Sequence, residues 1–358
     1  MITLLLLLTM MASAPAFRVP ADHERNSALL IGASQMMFHH EQVLLDLARA
    51  LQGEAPVYGL VANPSQADHL RELLVDHGLP PDAVRPVEVP VQSMWLRDYG
   101  PLFVDGRDGG VAIVDPRYPV TERNPDDDRV PSALAEKWAV PLIEVPLWLD
   151  GGHVVSNGQG LMLVSNALIN QNVARDGIEP TEVRRRLREA VPFDRAEIVL
   201  PLRGEPTGHL DMFLAFLGAD RLVVARLDPD AAPVNAERLD RIAARLEGTR
   251  TRQGSLRVVR IDTPAPRDGV WRTYTNVAMV DDVVLVPTYP DVADRFDRDA
   301  LEAYRGWFPD RTVVGIDARS LVERRGALHC VSVPLPSAVH RAVVRETGPA
   351  PEFENESD

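Results

Sequence analysis

Short apolar runs of strand length alternate with amphipathic stretches of helix length along nearly the whole chain. That alternation confines the fold to the α/β class. Residues 28–32, 57–61, 111–114, 161–164, 198–200, 222–225, 256–261, 283–286 and 313–316 read as strands. Between them, residues 41–51 place Val43, Leu44, Leu47, Ala48 and Leu51 at helical spacing. Residues 68–75, 181–190, 236–246 and 298–307 read as further helices, the first stopped by Gly78-Leu79-Pro80-Pro81. The 30 prolines and 23 glycines are scattered, which implies many loops and no single linker. No exact internal repeat is visible, and no glycine-rich nucleotide loop follows a strand.

The formal charge of −14 disfavours nucleic acid or an anionic membrane as partner and permits a cationic one. Residues 2–11 are apolar and are followed by Ala12-Ser13-Ala14-Pro15-Ala16, the pattern of a secretory signal without its basic start. The run is too short to span a bilayer, so no stable membrane insertion is expected. The expected organisation is a signal over 1–16, one domain over 17–347 and a flexible tail over 348–358. Location is then secreted or periplasmic, with the cytoplasm as alternative.

Four segments carry the chemistry. Cys330 is the sole cysteine, so it forms no internal disulfide and is either a buried small hydrophobe or a reactive thiol. Trp95-Leu96-Arg97-Asp98-Tyr99-Gly100-Pro101 sets a charged pair between aromatic residues, as in a pocket wall. Asp150 precedes Gly151-Gly152, either capping a turn or facing a ligand; the glycines permit positive φ or close backbone approach. Asn157-Gly158 reads as a hairpin turn. In Gly208-His209-Leu210-Asp211, an extended chain would point His209 and Asp211 the same way, giving a proton carrier beside a fixed anion. Glu205 reads as a loop residue. In His329-Cys330 the cysteine is expected to face inward and His329 to turn away.

Together, Trp95-x-Arg97-Asp98-x-Gly100-Pro101, Gly151-Gly152, Gly208-His209-x-Asp211 and His329-Cys330 resemble the agmatine deiminase and Porphyromonas-type peptidyl-arginine deiminase family. Weaker echoes are residues 168–172, Tyr274-Thr275-Asn276 and residues 284–289. The resemblance implies a five-bladed, pseudo-fivefold α/β propeller, the pentein fold, with its site on the central axis. It implies Cys330 as nucleophile, His209 as general acid/base, and Asp98 and Asp211 as the carboxylates that hold a guanidinium. Asp150, Trp95, Gly151 and Arg97 become substrate-binding candidates. Asp150 stands where agmatine deiminases usually carry Glu. The Arg97–Pro101 and Gly208–Phe213 stretches look closer to the peptidyl-arginine branch.

The implied reaction is hydrolysis of a guanidinium, in a small compound or an arginine-containing peptide, with ammonia released through a cysteine thiouronium. It needs no metal or organic cofactor. Two carboxylates suit the planar, permanently charged group because they can take paired N–H bonds. Three alternatives stand beside it. An amidinotransferase would intercept the same intermediate with an amine. A metal-dependent hydrolase would use His153, His209, Asp211, His329 and Cys330, although none of these pairs has short helical ligand spacing. A binding protein on the same scaffold would have lost turnover.

Overall fold

The structure, a computed structural model, describes residues 17–106, 110–119, 124–267 and 269–348. The signal-like run at 1–16 and the tail from 349 onward lie outside the described residues. Among the described residues the chain is an α/β fold built from one repeated unit. In each unit an antiparallel strand pair is extended by a third strand, parallel to the second and reached through one or two helices.

Four units follow one another along the chain. In the first, Leu102–Gly106 pairs antiparallel with Val111–Arg117, which lies parallel to Leu142–Trp148 across the helix Val130–Trp138. Phe17–Arg18 adds an outer strand to this sheet. In the second, Val154–Ser156 pairs with Leu161–Ser165, and the helices Asn166–Asp176 and Pro180–Ala190 lead to Arg195–Val199. Asn157 and Gly158, the latter at φ +71°, turn this hairpin as its sequence predicts. The third unit is Leu214–Gly218, Arg221–Arg226 and Arg257–Asp262, joined by Pro233–Leu246. The fourth is Ala278–Val280, Val283–Thr288 and Thr312–Asp317, joined by Asp294–Trp307.

The fifth unit joins the two ends of the chain. Its first strand is the late segment Ser332–Leu335, antiparallel to Ala28–Ile31. Ala28–Ile31 is in turn parallel to Val57–Val61, and that strand to Arg85–Glu88. Every residue of Ala28–Ile31 and Val57–Val61 is buried, as expected for parallel strands covered on both faces. The helix Glu41–Leu51 matches its sequence reading to the residue and buries the five predicted apolar positions. Fully burying a leucine such as Leu44 contributes about 1.5–3 kcal/mol. The helix read at 68–75 begins earlier, at Pro64, because Asn63 accepts from the Gln66 N–H and caps it. No described helix is long and apolar enough to cross a membrane.

Candidate active site

The turn immediately before the first strand of each unit delivers a polar side chain to one cluster. Asp98 lies in the short helix Leu96–Tyr99, ahead of Leu102–Gly106. Asp150 precedes the single 3-10 turn Gly151–His153, ahead of Val154–Ser156. His209 and Asp211 precede Leu214–Gly218, Asn276 precedes Ala278–Val280, and Cys330 precedes Ser332–Leu335. The cluster therefore assembles only when all five sheets are in place.

Local contacts fix each turn. Buried Asp127 accepts from the backbone of Gln92 and Ser93 at 2.7 and 3.2 Å, and the Tyr99 hydroxyl donates to the Ser93 carbonyl at 2.6 Å. These bonds orient the segment carrying Trp95 and Asp98. The Glu205 carboxylate accepts from Thr207 and from the Gly208 N–H at 2.6 Å, setting the loop that presents His209. Gly208 adopts φ +70°, which a side chain would strain. Gly152 is small of necessity: a Cβ there would lie 2.5 Å from His209 Nδ1. At Gly151 it would lie 2.1 Å from the Arg97 carbonyl. Both glycines therefore serve close approach, and neither has positive φ.

The thiol of Cys330 is 2% exposed. It lies 3.6 Å from Asp211 Oδ2 and accepts from Asn276 Nδ2–H at 3.2 Å. Asn276 Oδ1 accepts from the backbone N–H of His329 and Cys330 at 3.0 and 3.3 Å, so one amide side chain holds the whole turn. Arg97 N–H donates to the Cys330 carbonyl at 3.0 Å. Behind the thiol runs a chain of ion pairs. His329 Nδ1 meets Asp211 Oδ2 at 2.7 Å, His329 Nε2 meets Asp22 Oδ2 at 3.2 Å, and Asp22 Oδ1 accepts from Arg97 at 3.0 Å. On the other side, His209 Nε2 lies 3.3 Å from Asp150 Oδ2, and Nδ1 lies 3.7 Å from Asp98 Oδ1. Among the described residues no donor forms a hydrogen bond to Asp98 Oδ1, Asp150 Oδ1 or Asp211 Oδ1, although all three atoms are buried.

Protonation follows from this geometry. Burial pushes the Asp98 carboxyl up to about 7, and the nearby Asp150 and Asp211 add to the rise against the pull of His209. Burial pushes the Cys330 thiol up to about 12, and the Asp211 charge pushes the same way. Burial opposes the charged imidazole of His209, but Asp98 and Asp150 outweigh it and hold the group protonated well above the usual histidine range. His209 and the thiol are close enough to influence each other's protonation. Asp211 stays below the usual carboxylate range despite burial, because His329 pairs with it.

Two expectations need correction. Residues 208–213 form a loop that bends at Leu210 and turns at 211–213 before the strand begins at Leu214, so His209 and Asp211 do not share a strand face. The anions that keep His209 charged are chiefly Asp98 and Asp150, whereas Asp211 serves His329. Second, His329 does not turn away. The 328–331 segment is a turn as well, and it brings both His329 and Cys330 into the cluster. Asp98, Asp150, His209, Asp211 and Cys330 do come together. Asp150 makes no side-chain cap, leaving its carboxylate toward His209. Arg97 binds Asp22, and half-buried Trp95 lies over Gly326, where a Cβ would come within 2.3 Å of its ring. Sequence reasoning missed Asn276 and Asp22 as members. The Tyr274-Thr275-Asn276 echo was the available signal for the first.

Hollows of about 40 Å³ beside Asp98, Arg97 and Gly151, and of about 20 Å³ beside Asp211 and His329, border the cluster. A wider cleft of about 650 Å³ lies elsewhere, lined by Arg226, Asp262, Arg272, Asp291 and Arg295. None of the cluster's catalytic candidates lines that cleft.

The chain matches the family model of the Porphyromonas-type peptidyl-arginine deiminases over residues 18–336. A Streptomyces coelicolor protein assigned by name to the agmatine deiminases is 29% identical over 349 residues, covering 89% of this chain and 99% of its own. A solved structure of a Porphyromonas gingivalis protein, named as an arginine deiminase, superposes with a TM-score of 0.77 at 24% identity. It covers 90% of this chain and 99% of that one. The agmatine deiminase of Enterococcus faecalis superposes with the same TM-score of 0.77 at 20% identity, covering 90% and 96%.

Proposed function

Because the chain belongs to the Porphyromonas-type peptidyl-arginine deiminase family, we propose that it hydrolyses a guanidinium group to the ureido product and ammonia through a covalent intermediate on Cys330. The observation that carries the reading is the trio of buried carboxylate oxygens on Asp98, Asp150 and Asp211 that lack donors among the described residues. Buried anions require partners, and a guanidinium offers five N–H groups in a planar fork.

In this reading Asp98 and Asp211 hold the fork, with Asp150 beside them and Trp95 as an apolar wall. The arriving cation offsets the anionic surroundings of the thiol and favours the thiolate, whose proton passes to solvent because His209 already carries one. The Cys330 sulfur attacks the central carbon, forming a neutral tetrahedral adduct. His209 gives its proton to one nitrogen, the C–N bond breaks and ammonia leaves, and the S-alkylthiouronium remains. Neutral His209 then takes a proton from water as its oxygen adds to the same carbon. The C–S bond breaks, releasing the ureido product and the thiol. The residues need no metal or organic cofactor for these steps.

The five like sheets, each presenting a polar side chain from the turn before its first strand, support a five-bladed propeller forming one domain over 17–347. The naming of the Streptomyces coelicolor relative as an agmatine deiminase favours a small guanidine, agmatine among them, over a peptide. A panel of agmatine, free arginine and internal and C-terminal arginine peptides, read by ammonia release, tests substrate class. Efficient turnover of internal arginine peptides alone would overturn the small-substrate reading. Cys330→Ser is expected to abolish turnover, by at least about 10⁴-fold, while substrate binding persists. Ammonia release at the normal rate would remove Cys330 from the mechanism.

A further inference from the structure

Asp150, His153 and His209 form a group that guanidine chemistry uses only in part. Asp150 and His153 are three residues apart, Asp150 being the extended residue that leads into the 3-10 turn Gly151–His153. His209 packs edge-on against His153, with ring centroids 4.8 Å apart and planes at 86°. One ligand-capable atom from each residue lies within 4.8 Å of the other two. His153 is 1% exposed, and neither ring nitrogen makes a hydrogen bond among the described residues. The Thr207 backbone lies near enough to favour its charged form slightly, without a bond of normal geometry. An imidazole buried with both nitrogens idle is unfavourable, and the deiminase steps give it no task.

We propose that Asp150, His153 and His209 form an inhibitory binding site for a divalent transition metal of the zinc type. Two imidazoles and one carboxylate are donors that zinc accepts, with a fourth position left for water. Imidazole donors favour such a metal over magnesium or calcium. Tetrahedral zinc, with bonds of about 2.0–2.2 Å, needs donor atoms about 3.3 Å apart. The three side chains reach that by closing from their present spacing. Asp150 and His153 supply a ligand pair three residues apart in sequence, which the histidines, Asp211 and the cysteine do not form among themselves. A bound metal would take a ring nitrogen of His209, displacing its proton, and a carboxylate oxygen of Asp150, so neither group could play its full part in guanidinium chemistry. Metal binding stands on the geometry alone; the inhibition rests on the deiminase reading.

The test uses the metal-free full chain, equilibrium dialysis against Zn²⁺ with elemental analysis, and the variants His153→Gln, Asp150→Asn and Cys330→Ser. Wild type and Cys330→Ser are expected to bind one zinc with similar affinity. His153→Gln and Asp150→Asn each weaken binding at least about tenfold, with thermal melts reporting whether each variant is folded. Zinc should suppress ammonia release by the wild type and a chelator should restore it. His153→Gln should need at least about tenfold more zinc for the same fractional loss of its own metal-free rate. Binding lost in Cys330→Ser but kept in His153→Gln would put the metal on the thiol and overturn the site, as would no binding to wild type. Zinc bound as expected with ammonia release unaffected would overturn the inhibitory role and leave the site. Zinc bound as expected to a wild type that releases no ammonia without metal would overturn the deiminase reading and not the site.

Discussion

Two histidines meet at the candidate site, and they are held in opposite ways. His329 is tied at both ring nitrogens, to Asp211 at 2.7 Å and to Asp22 at 3.2 Å, and Arg97 secures Asp22 from behind. His209 has only longer contacts, 3.3 Å to Asp150 and 3.7 Å to Asp98. Anions raise the proton affinity of both against the effect of burial. The difference lies in what a proton transfer must break. A strapped imidazole gives up a short charge-assisted bond to move its proton, whereas a loosely held one does not. His209 is thus suited to carry protons, and His329 to brace the turn that presents Cys330.

The comparison is broken or kept by the matched variants. His209→Gln is expected to lower kcat by about 10³-fold or more, the scale of a lost general acid/base. His329→Gln should lower kcat by only about tenfold while reducing Tm by several degrees, since it strands the buried carboxylate of Asp211. Steady-state ammonia release and thermal melts read both. Equal loss of kcat in the two variants, with Tm unchanged in His329→Gln, would erase the distinction and make His329 a proton carrier too.

The carboxylates sharpen the same contrast. Asp211 is paired and held ionised, while Asp98 has an unpartnered oxygen and a carboxyl raised to about 7 by burial and neighbouring acids. The sign follows directly. As pH falls through about 7, Asp98 takes up a proton and loses the charge that holds the guanidinium. KM should therefore rise, roughly tenfold per pH unit below that value, with little change above it until other groups titrate. Asp98→Asn should raise KM by about 30-fold or more at pH 8, the loss expected when one partner of a buried charge pair is removed. It should also flatten the acid limb. A wild-type KM constant from pH 8 to 5.5 would show Asp98 ionised throughout.

Most elements were legible because their apolar periodicity is set by burial. Glu41–Leu51 and Val57–Val61 have the predicted ends because each is flanked by an abrupt change of pattern. The first strands of the later units were harder. Ala278–Val280 is three residues long, too short for alternation to register. Without these strands the fivefold recurrence stays hidden, since the units share a strand order and not a sequence. That is why Asn276 was seen only as an echo, although its place before Ala278–Val280 matches that of Cys330 before Ser332–Leu335. His329 was misread for a related reason. Strand logic assigns neighbours to opposite faces, but the strand begins only at Ser332, and a turn can present both residues to one cluster. Asp22 could not be found by local pattern, because its partners Arg97 and His329 are distant in sequence.

At Asn276 the expected loss of kcat is no larger than at His329. Its amide touches neither imidazole, yet it serves both halves of the comparison by fixing the segment that carries His329 and the thiol. Its Oδ1 fixes the turn, and its Nδ2–H faces the sulfur at 3.2 Å, where it stabilises the thiolate more than the thiol. Removing a hydrogen bond to the charged form is worth about 1.5 kcal/mol, so Asn276→Ala should lower kcat roughly tenfold with KM nearly unchanged. Asn276→Asp separates the two functions. It keeps an acceptor for the backbone N–H groups of His329 and Cys330 but sets a carboxylate against the sulfur, which destabilises the thiolate further. If the thiolate contact matters, Asn276→Asp is slower than Asn276→Ala, and the pH at which Cys330 is alkylated by a cationic haloacetamidine rises. If Asn276→Asp instead recovers the wild-type rate, the amide acts only as a brace and belongs with His329 rather than with the reacting groups.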